Sequence, residues 1–117
     1  MQLKITSSAI WFYSESVDFR KSIDGLSALV QLHLKMNPAD GIYVFFNHRK
    51  DKLKILAWHG NGFVLLYKRI ESSKFTPPSN QDSVPVTLNE KQLSWLLAGL
   101  NWDQMTHWNT LEYDEYS

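Results

Sequence analysis

The stretch IYVFFNHRKDKLKILAWHGNGFVLLYKR, from Ile42 to Arg69, decides the architecture of this chain. Three runs rich in β-branched and aromatic residues, at 42–47, 52–59 and 63–69, are separated by His48-Arg-Lys-Asp51 and by Gly60-Asn61. Runs of this composition read as strands, and connections of two and four residues are hairpin lengths. Antiparallel pairing with residue numbers summing to about 99 across the first turn and about 121 across the second gathers Ile42, Val44, Phe46, Leu53, Ile55, Ala57, Val64 and Leu66 on one face. A slip of one residue would mix Lys54 into that face, so the register is set by hydrophobicity. The opposite face carries Tyr43, Phe45, Lys52, Lys54, Leu56, Trp58, Phe63, Leu65, Tyr67 and Arg69, with cations at one end and aromatics in the middle.

Upstream of the meander, Ala9 to Tyr13 is a short apolar run with strand character. Phe19, Ile23, Leu26, Leu29, Val30 and Leu34 then recur at spacings of three and four, which predicts a helix over about 19–35. Asp18 or Ser22 can cap it, and Asn37-Pro38 ends it. Gly25, an unfavourable residue inside a helix, suggests close approach of another backbone. Downstream, residues 75–86 read as a proline-punctuated loop. Thr87 and Glu90 have the spacing of a capping box, opening a helix over about 88–99 that buries Leu93, Leu96, Leu97 and Leu100 and stops near Gly99. This second helix is the candidate cover for the aromatic face of the meander. The expectation is one α+β domain spanning 1–117, a mainly antiparallel sheet whose central meander is packed by two helices, with an acidic aromatic tail over about 101–117.

At 117 residues the chain has the length of one domain, and with 44% hydrophobic residues it can bury a core. It has no cysteine, which excludes disulfides, thiolate metal sites and a cysteine nucleophile and fits a reducing cytosol. No apolar run reaches the roughly 18 residues of a membrane span, and the N-terminus lacks signal-peptide character, so a cytoplasmic protein is expected. Net charge is zero, but its distribution is uneven. Between Tyr43 and Phe75 seven cations face two acids, whereas from Asn101 onward there are four acids and no Lys or Arg. A basic middle and an acidic end give the molecule an electrostatic direction.

No catalytic or metal-ligating constellation is legible. The four histidines (33, 48, 59 and 107) are scattered, with neither paired ligand spacing nor a His-Glu-x-x-His motif. The nucleophile elbow and the phosphate loop are both missing. Gly60-Asn-Gly62 is a hairpin turn, since no helix follows it as a dinucleotide fingerprint requires. No cofactor is expected. Cations on one surface are what phosphate neutralisation requires, and Arg49, Lys50, Lys52, Lys54, Lys68 and Arg69 are the candidate nucleic-acid contacts. Trp58, Phe63 and Tyr67 are candidates to stack on bases or on a protein partner. Arg20 and Lys21 stand where a helix dipole disfavours cations. They suggest an acidic partner or an anion, or else a salt bridge to Asp18 or Asp24.

Several of these segments together resemble a known family. Asp18 to Leu26 (DFRKSIDGL), Val44 to Leu56 (VFFNHRKDKLKIL), Trp58 to Phe63 (WHGNGF), Tyr67 to Glu71 (YKRIE) and Phe75 are similar to the TnpB-like accessory proteins, the second open reading frame products, of bacterial insertion sequences of the IS66 group. The likeness covers roughly residues 8–100 in order. Carried onto this chain, the family's motif positions are Asp18, Arg20, Lys21, Asp24, Gly25, Asn47, Arg49, Asp51, Lys54, Trp58, Gly60, Gly62, Lys68, Arg69 and Glu71. Ser22, His48 and His59 depart from the residues the family commonly has there, as does the Ser72-Ser73-Lys74 step before Phe75. The resemblance implies a role in transposition beside a separate transposase and other accessory proteins of the same element. It carries no demonstrated activity. Three readings follow: a non-catalytic accessory factor that contacts DNA, an adaptor that binds the transposase or another subunit without DNA, and an enzyme built on Asp18, Asp24 and Asp51. Oligomeric state and DNA sequence preference are not legible.

Overall fold

The structure, a computed structural model, describes residues 9–77 and 85–98. Its strands are β1 (Ala9–Phe12), β2 (Gly41–Phe46), β3 (Lys52–His59), β4 (Gly62–Arg69) and β5 (Val86–Leu88), and its helices α1 (Ile23–Leu29) and α2 (Glu90–Leu97). The strands form one sheet in the order β4-β3-β2-β1-β5. The meander has the expected register, with Ile42 opposite Ala57 and Lys52 opposite Arg69. Gly60, at φ 63, takes the first central position of the β3–β4 turn, where a left-handed residue matches the twist of the strands. Gly62 has open space around its missing Cβ, so crowding does not require glycine there.

Two strands extend the meander beyond its local signal. β1 lies parallel to β2, with Ala9 opposite Gly41, and β5 pairs antiparallel with β1, with Ile10 opposite Leu88. The fold is therefore α+β with one parallel junction, reached through the long α1 crossover that a parallel pair requires. Val86 and Thr87 belong to β5 rather than to the loop and cap expected of them. The helix cap is Asn89: its side chain accepts from the Gln92 amide at 2.7 Å, and the Gln92 side chain accepts from the Asn89 amide at 3.0 Å. Strand pairing takes Thr87 out of competition, and the capping box moves two residues on. The expected stop at Gly99 and the acidic tail over 101–117 lie outside the described residues.

The first helix also begins later than its periodicity suggests. The Asp18 carboxylate accepts from the Arg20 amide at 2.9 Å and its carbonyl from the Lys21 amide at 3.0 Å, which closes a turn over 18–21. Helix starts at Ile23, with Ser22 in the capping position but making no side-chain bond. It then widens into a π-helical turn, Val30–Leu34, terminated by Lys35 at φ 54. A Cβ on Gly25 would meet the Lys21 side chain at 3.1 Å, so the close neighbour is this side chain and not a foreign backbone.

The two helices sit on opposite faces of the sheet. α2 covers the purely apolar face, where Ile10, Phe12, Val44, Phe46, Leu53, Ile55, Leu88 and Leu96 pack with Phe75, and the rings of Phe12 and Phe46 stack at 5.5 Å. α1 and the turn after it cover the aromatic face, burying Tyr43, Phe45 and Leu56 beneath Leu26 and Val30. The helix over that face is thus α1, not the α2 segment anticipated for it. Each strand alternates between two covered sides, so both residue parities of β2 and β3 are apolar. No helix among the described residues is long and apolar enough to cross a membrane.

Candidate nucleic-acid interface

The β2–β3 connection is built on one asparagine. Asn47, 8% exposed, accepts through its side-chain carbonyl from the amides of Asp51 at 3.1 Å and Lys52 at 3.0 Å. Its amide group donates to the Asp51 carboxylate at 2.6 Å, and its backbone carbonyl accepts from the Lys50 amide at 3.0 Å. The bond from Asn47 holds the Asp51 carboxyl below the usual carboxylate range. Closing this loop puts Lys50 in the left-handed region at φ 62 and leaves His48, Arg49 and Lys50 exposed at the tip. Asn47 and Asp51 thus hold the tip in shape, and Arg49 and Lys50 are what it presents.

The other four predicted contacts do not join one surface. Lys54 is 8% exposed, and its ammonium donates to the carbonyls of Phe19 at 2.8 Å and Lys21 at 2.7 Å. It also lies 4.9 Å from the centre of the Phe19 ring and 6.0 Å from that of Tyr67. Burial pushes its pKa down, opposed in part by the charge of Asp18. Lys54 fastens the turn before α1 to the sheet, so its ammonium is engaged with two carbonyls and is not presented at the tip beside Arg49 and Lys50. Lys52 and Arg69 face each other across β3 and β4 on the α1 side, and Arg69 is paired with Glu71 at 2.9 Å. Lys68 points to the α2 side, opposite Leu53.

The motif residues before α1 form their own unit. Arg20 donates through Nε and Nη2 to the Asp18 carboxylate, the shortest bond being 2.6 Å. These bonds hold the Asp18 carboxyl at about 2. The ion pair foreseen as one explanation for Arg20 is therefore present, and it uses Asp18. Lys21 is exposed, and Asp24 sits in the first turn of α1, where an acid suits the helix dipole. Asp18 and Asp51 are each engaged with a different partner, and among the described residues no group of three His, Asp or Glu is placed to hold a metal.

The aromatic face divides. Tyr43 and Phe45 are core, whereas Trp58 and Tyr67 remain 39% and 53% exposed at the β3–β4 edge. Trp58 meets Phe63 edge to face at 5.0 Å, and Tyr67 tilts against Phe19 at 6.4 Å. Trp58 stands by the Gly60 turn, six residues along β3 from Lys52, or roughly 20 Å from the cationic tip. Trp58 therefore lies at the opposite end of the hairpins from the cationic tip, whereas Tyr67, opposite Lys54, stands nearer the cations.

One cation with no assigned role reaches the tip from elsewhere. The Ile70 amide donates to the Asp51 carbonyl at 2.8 Å and the Phe75 amide to the Lys50 carbonyl at 2.6 Å, which brings Lys74 beside Arg49 and Lys50. The charge count over 43–75 includes Lys74, but nothing local indicates that the chain doubles back there.

The family described as IS66 Orf2 like protein matches residues 8–107. Two similar proteins come from Sinorhizobium fredii (strain NBRC 101917 / NGR234) and are named as uncharacterized. y4jC is 38% identical over 93 residues, 79% of each chain, and y4hO is 33% identical over 94 residues, 80% of this chain and 81% of its own. No solved structure matches the chain.

Proposed function

Because this chain belongs to the IS66 Orf2-like family, an insertion-sequence accessory family, we propose that it serves transposition by binding DNA through the tip of the β2–β3 hairpin. The observation that carries this reading is the Arg49-Lys50 tip, exposed and held in one shape by the hydrogen bonds of Asn47. A loop backbone already fixed in shape loses little freedom when the side chains it presents meet a phosphate. Their contacts would set affinity and position rather than sequence preference. The protein acts without chemistry of its own, the catalytic acids residing in a separate transposase. This part of the reading is supported by Asp18 and Asp51 being engaged in separate structural bonds.

A second reading is favoured by the exposed edge. Leu66 and Tyr67 on the outermost strand β4, with Trp58 on the neighbouring β3, leave a partly open apolar margin, which suits an adaptor that binds the transposase or another accessory subunit. One titration separates the two. Fluorescence anisotropy with a duplex from the ends of the insertion sequence should show affinity falling with salt at a log–log slope of about −0.9 per phosphate neutralised. The Arg49→Ala/Lys50→Ala double variant should flatten that slope by about 2. Salt-insensitive or absent DNA binding, with transposase co-purification surviving the double variant, sinks the DNA reading in favour of the adaptor.

A further inference from the structure

Three segments distant in sequence converge at the hairpin tip, each tied to its backbone. The Tyr13 amide donates to the Val44 carbonyl and the Val17 amide to the Phe46 carbonyl, both at 2.9 Å. Two carbonyls that a regular ladder would link to donors two residues apart are here linked to donors four apart, so residues 14–16 loop out beside the tip. On another side the bond from Phe75 to Lys50 holds residues 74–77. Between them lies a cleft of about 710 Å³, with Ser14, Ser16, Arg49, Lys50, Lys74 and Thr76 in its walls.

Among the described residues no carboxylate lines this cleft. The two nearest in sequence are occupied: Asp51 accepts from Asn47 at 2.6 Å, and Glu15 accepts from the Tyr13 hydroxyl at 3.2 Å. Two further features accompany the cleft. The Ser14 hydroxyl is buried and has no hydrogen-bond partner among the described residues, a condition native proteins rarely leave unmet. Lys50 holds a left-handed backbone at φ 62, where asparagine or glycine is at less cost. Lys35 has a similar backbone where a helix ends, and Lys50 differs from it in contributing charge to a cleft.

Three cations and three hydroxyls, with no acid among the described residues, make a donor set for an oxyanion of more than one charge. We propose that this cleft is a phosphate-binding site that takes one phosphodiester of the DNA backbone, with Arg49, Lys50 and Lys74 as charge partners and Ser14, Ser16 and Thr76 as hydroxyl donors. The proposal rests on the DNA-binding reading above and adds to it a located subsite, with Lys74 and the serines as residues of that subsite. The cleft exceeds a phosphate in size, which leaves room for the adjoining sugar.

Amide NMR of the full chain, titrated with inorganic phosphate at constant ionic strength, tests the site itself. Saturable shifts at residues 14–16, 48–50 and 74–76 are expected. Lys74→Ala and Ser14→Ala should each weaken phosphate at least fivefold, while Lys68→Ala, on β4 and outside the cleft walls, leaves it unchanged. Thymidine monophosphate and a short duplex, added as competitors, identify the source. Displacement by duplex at far lower concentration than by mononucleotide is the expected result. If phosphate causes no saturable shift and Lys74→Ala leaves a salt-sensitive duplex affinity intact, the cleft proposal is overturned and the DNA reading stands. If phosphate saturates the cleft but duplex neither binds nor displaces it, the site stands as a nucleotide or free-phosphate site and the DNA assignment falls.

Discussion

Replacing Asn47 by alanine removes the group on which the hairpin tip is built. Its side-chain carbonyl accepts two backbone amides, from Asp51 at 3.1 Å and Lys52 at 3.0 Å, at a site 8% exposed. Each such bond contributes about 0.5–1.5 kcal/mol net, and a donor left without a partner in a half-buried place adds to the loss. The expected destabilisation is about 2 kcal/mol, which lowers Tm by about 10 °C in a domain of this size. The bond from the Asn47 amide to the Asp51 carboxylate is left out of that figure, because water can replace it on the exposed side. Urea unfolding followed by tryptophan fluorescence gives the midpoint and slope. Asn47→Asp makes the test sharper. A carboxylate there still accepts both amides but faces the Asp51 carboxylate where a donor stood, so the variant should regain stability relative to wild type as pH falls and one of the pair binds a proton. An alanine variant within about 0.5 kcal/mol of wild type, or an Asn47→Asp deficit that does not shrink on acidification, refutes the role given to Asn47. The same alanine variant should weaken duplex binding while Arg49 and Lys50 remain, since it removes their fixed geometry and not their charge.

Three further outcomes follow from individual side chains. Lys54→Ala leaves the Phe19 and Lys21 carbonyls without their donor and should cost about 2–3 kcal/mol in chemical denaturation, yet leave the salt slope of DNA binding unchanged, since the ammonium is not a phosphate contact. Asp18 should titrate at about 2 by carbon NMR, and Arg20→Ala should raise it only part of the way to the ordinary carboxylate value, since the backbone amide of residue 20 still donates to it. Its folded pKa lies below the unfolded one, so the ion pair stabilises above the ordinary carboxylate pKa and that contribution is lost as pH falls through the folded value; a flat comparison of wild type and Arg20→Ala across this window would count against it. Lys50→Asn relieves the left-handed strain and should raise stability by about 0.5–1 kcal/mol while weakening phosphate binding, a divergence that a purely structural Lys50 would not produce.

The amino-acid sequence alone determined the meander, because its information is local. A two-residue turn led by glycine, a four-residue connection and period-two alternation over Ile42, Val44, Phe46, Leu53 and Ile55 permit one register, in which any slip sets Lys54 among the apolar residues. The Arg49-Lys50 tip follows from that register, and the family follows from motifs in fixed order. Tertiary structure alone decided what depends on contacts between distant segments. Nothing near Ala9 states that β1 runs parallel to β2, and nothing near Val86 states that it is a strand, since each is defined by the partner it meets. Lys54 reads as a surface cation until the turn before α1, some thirty residues earlier in the chain, lays the carbonyls of Phe19 and Lys21 over it. The cleft is the extreme case: Ser14, Lys50 and Lys74 are unremarkable where they stand in sequence, and only backbone hydrogen bonds from β2 and the tip to segments on either side bring them to one place.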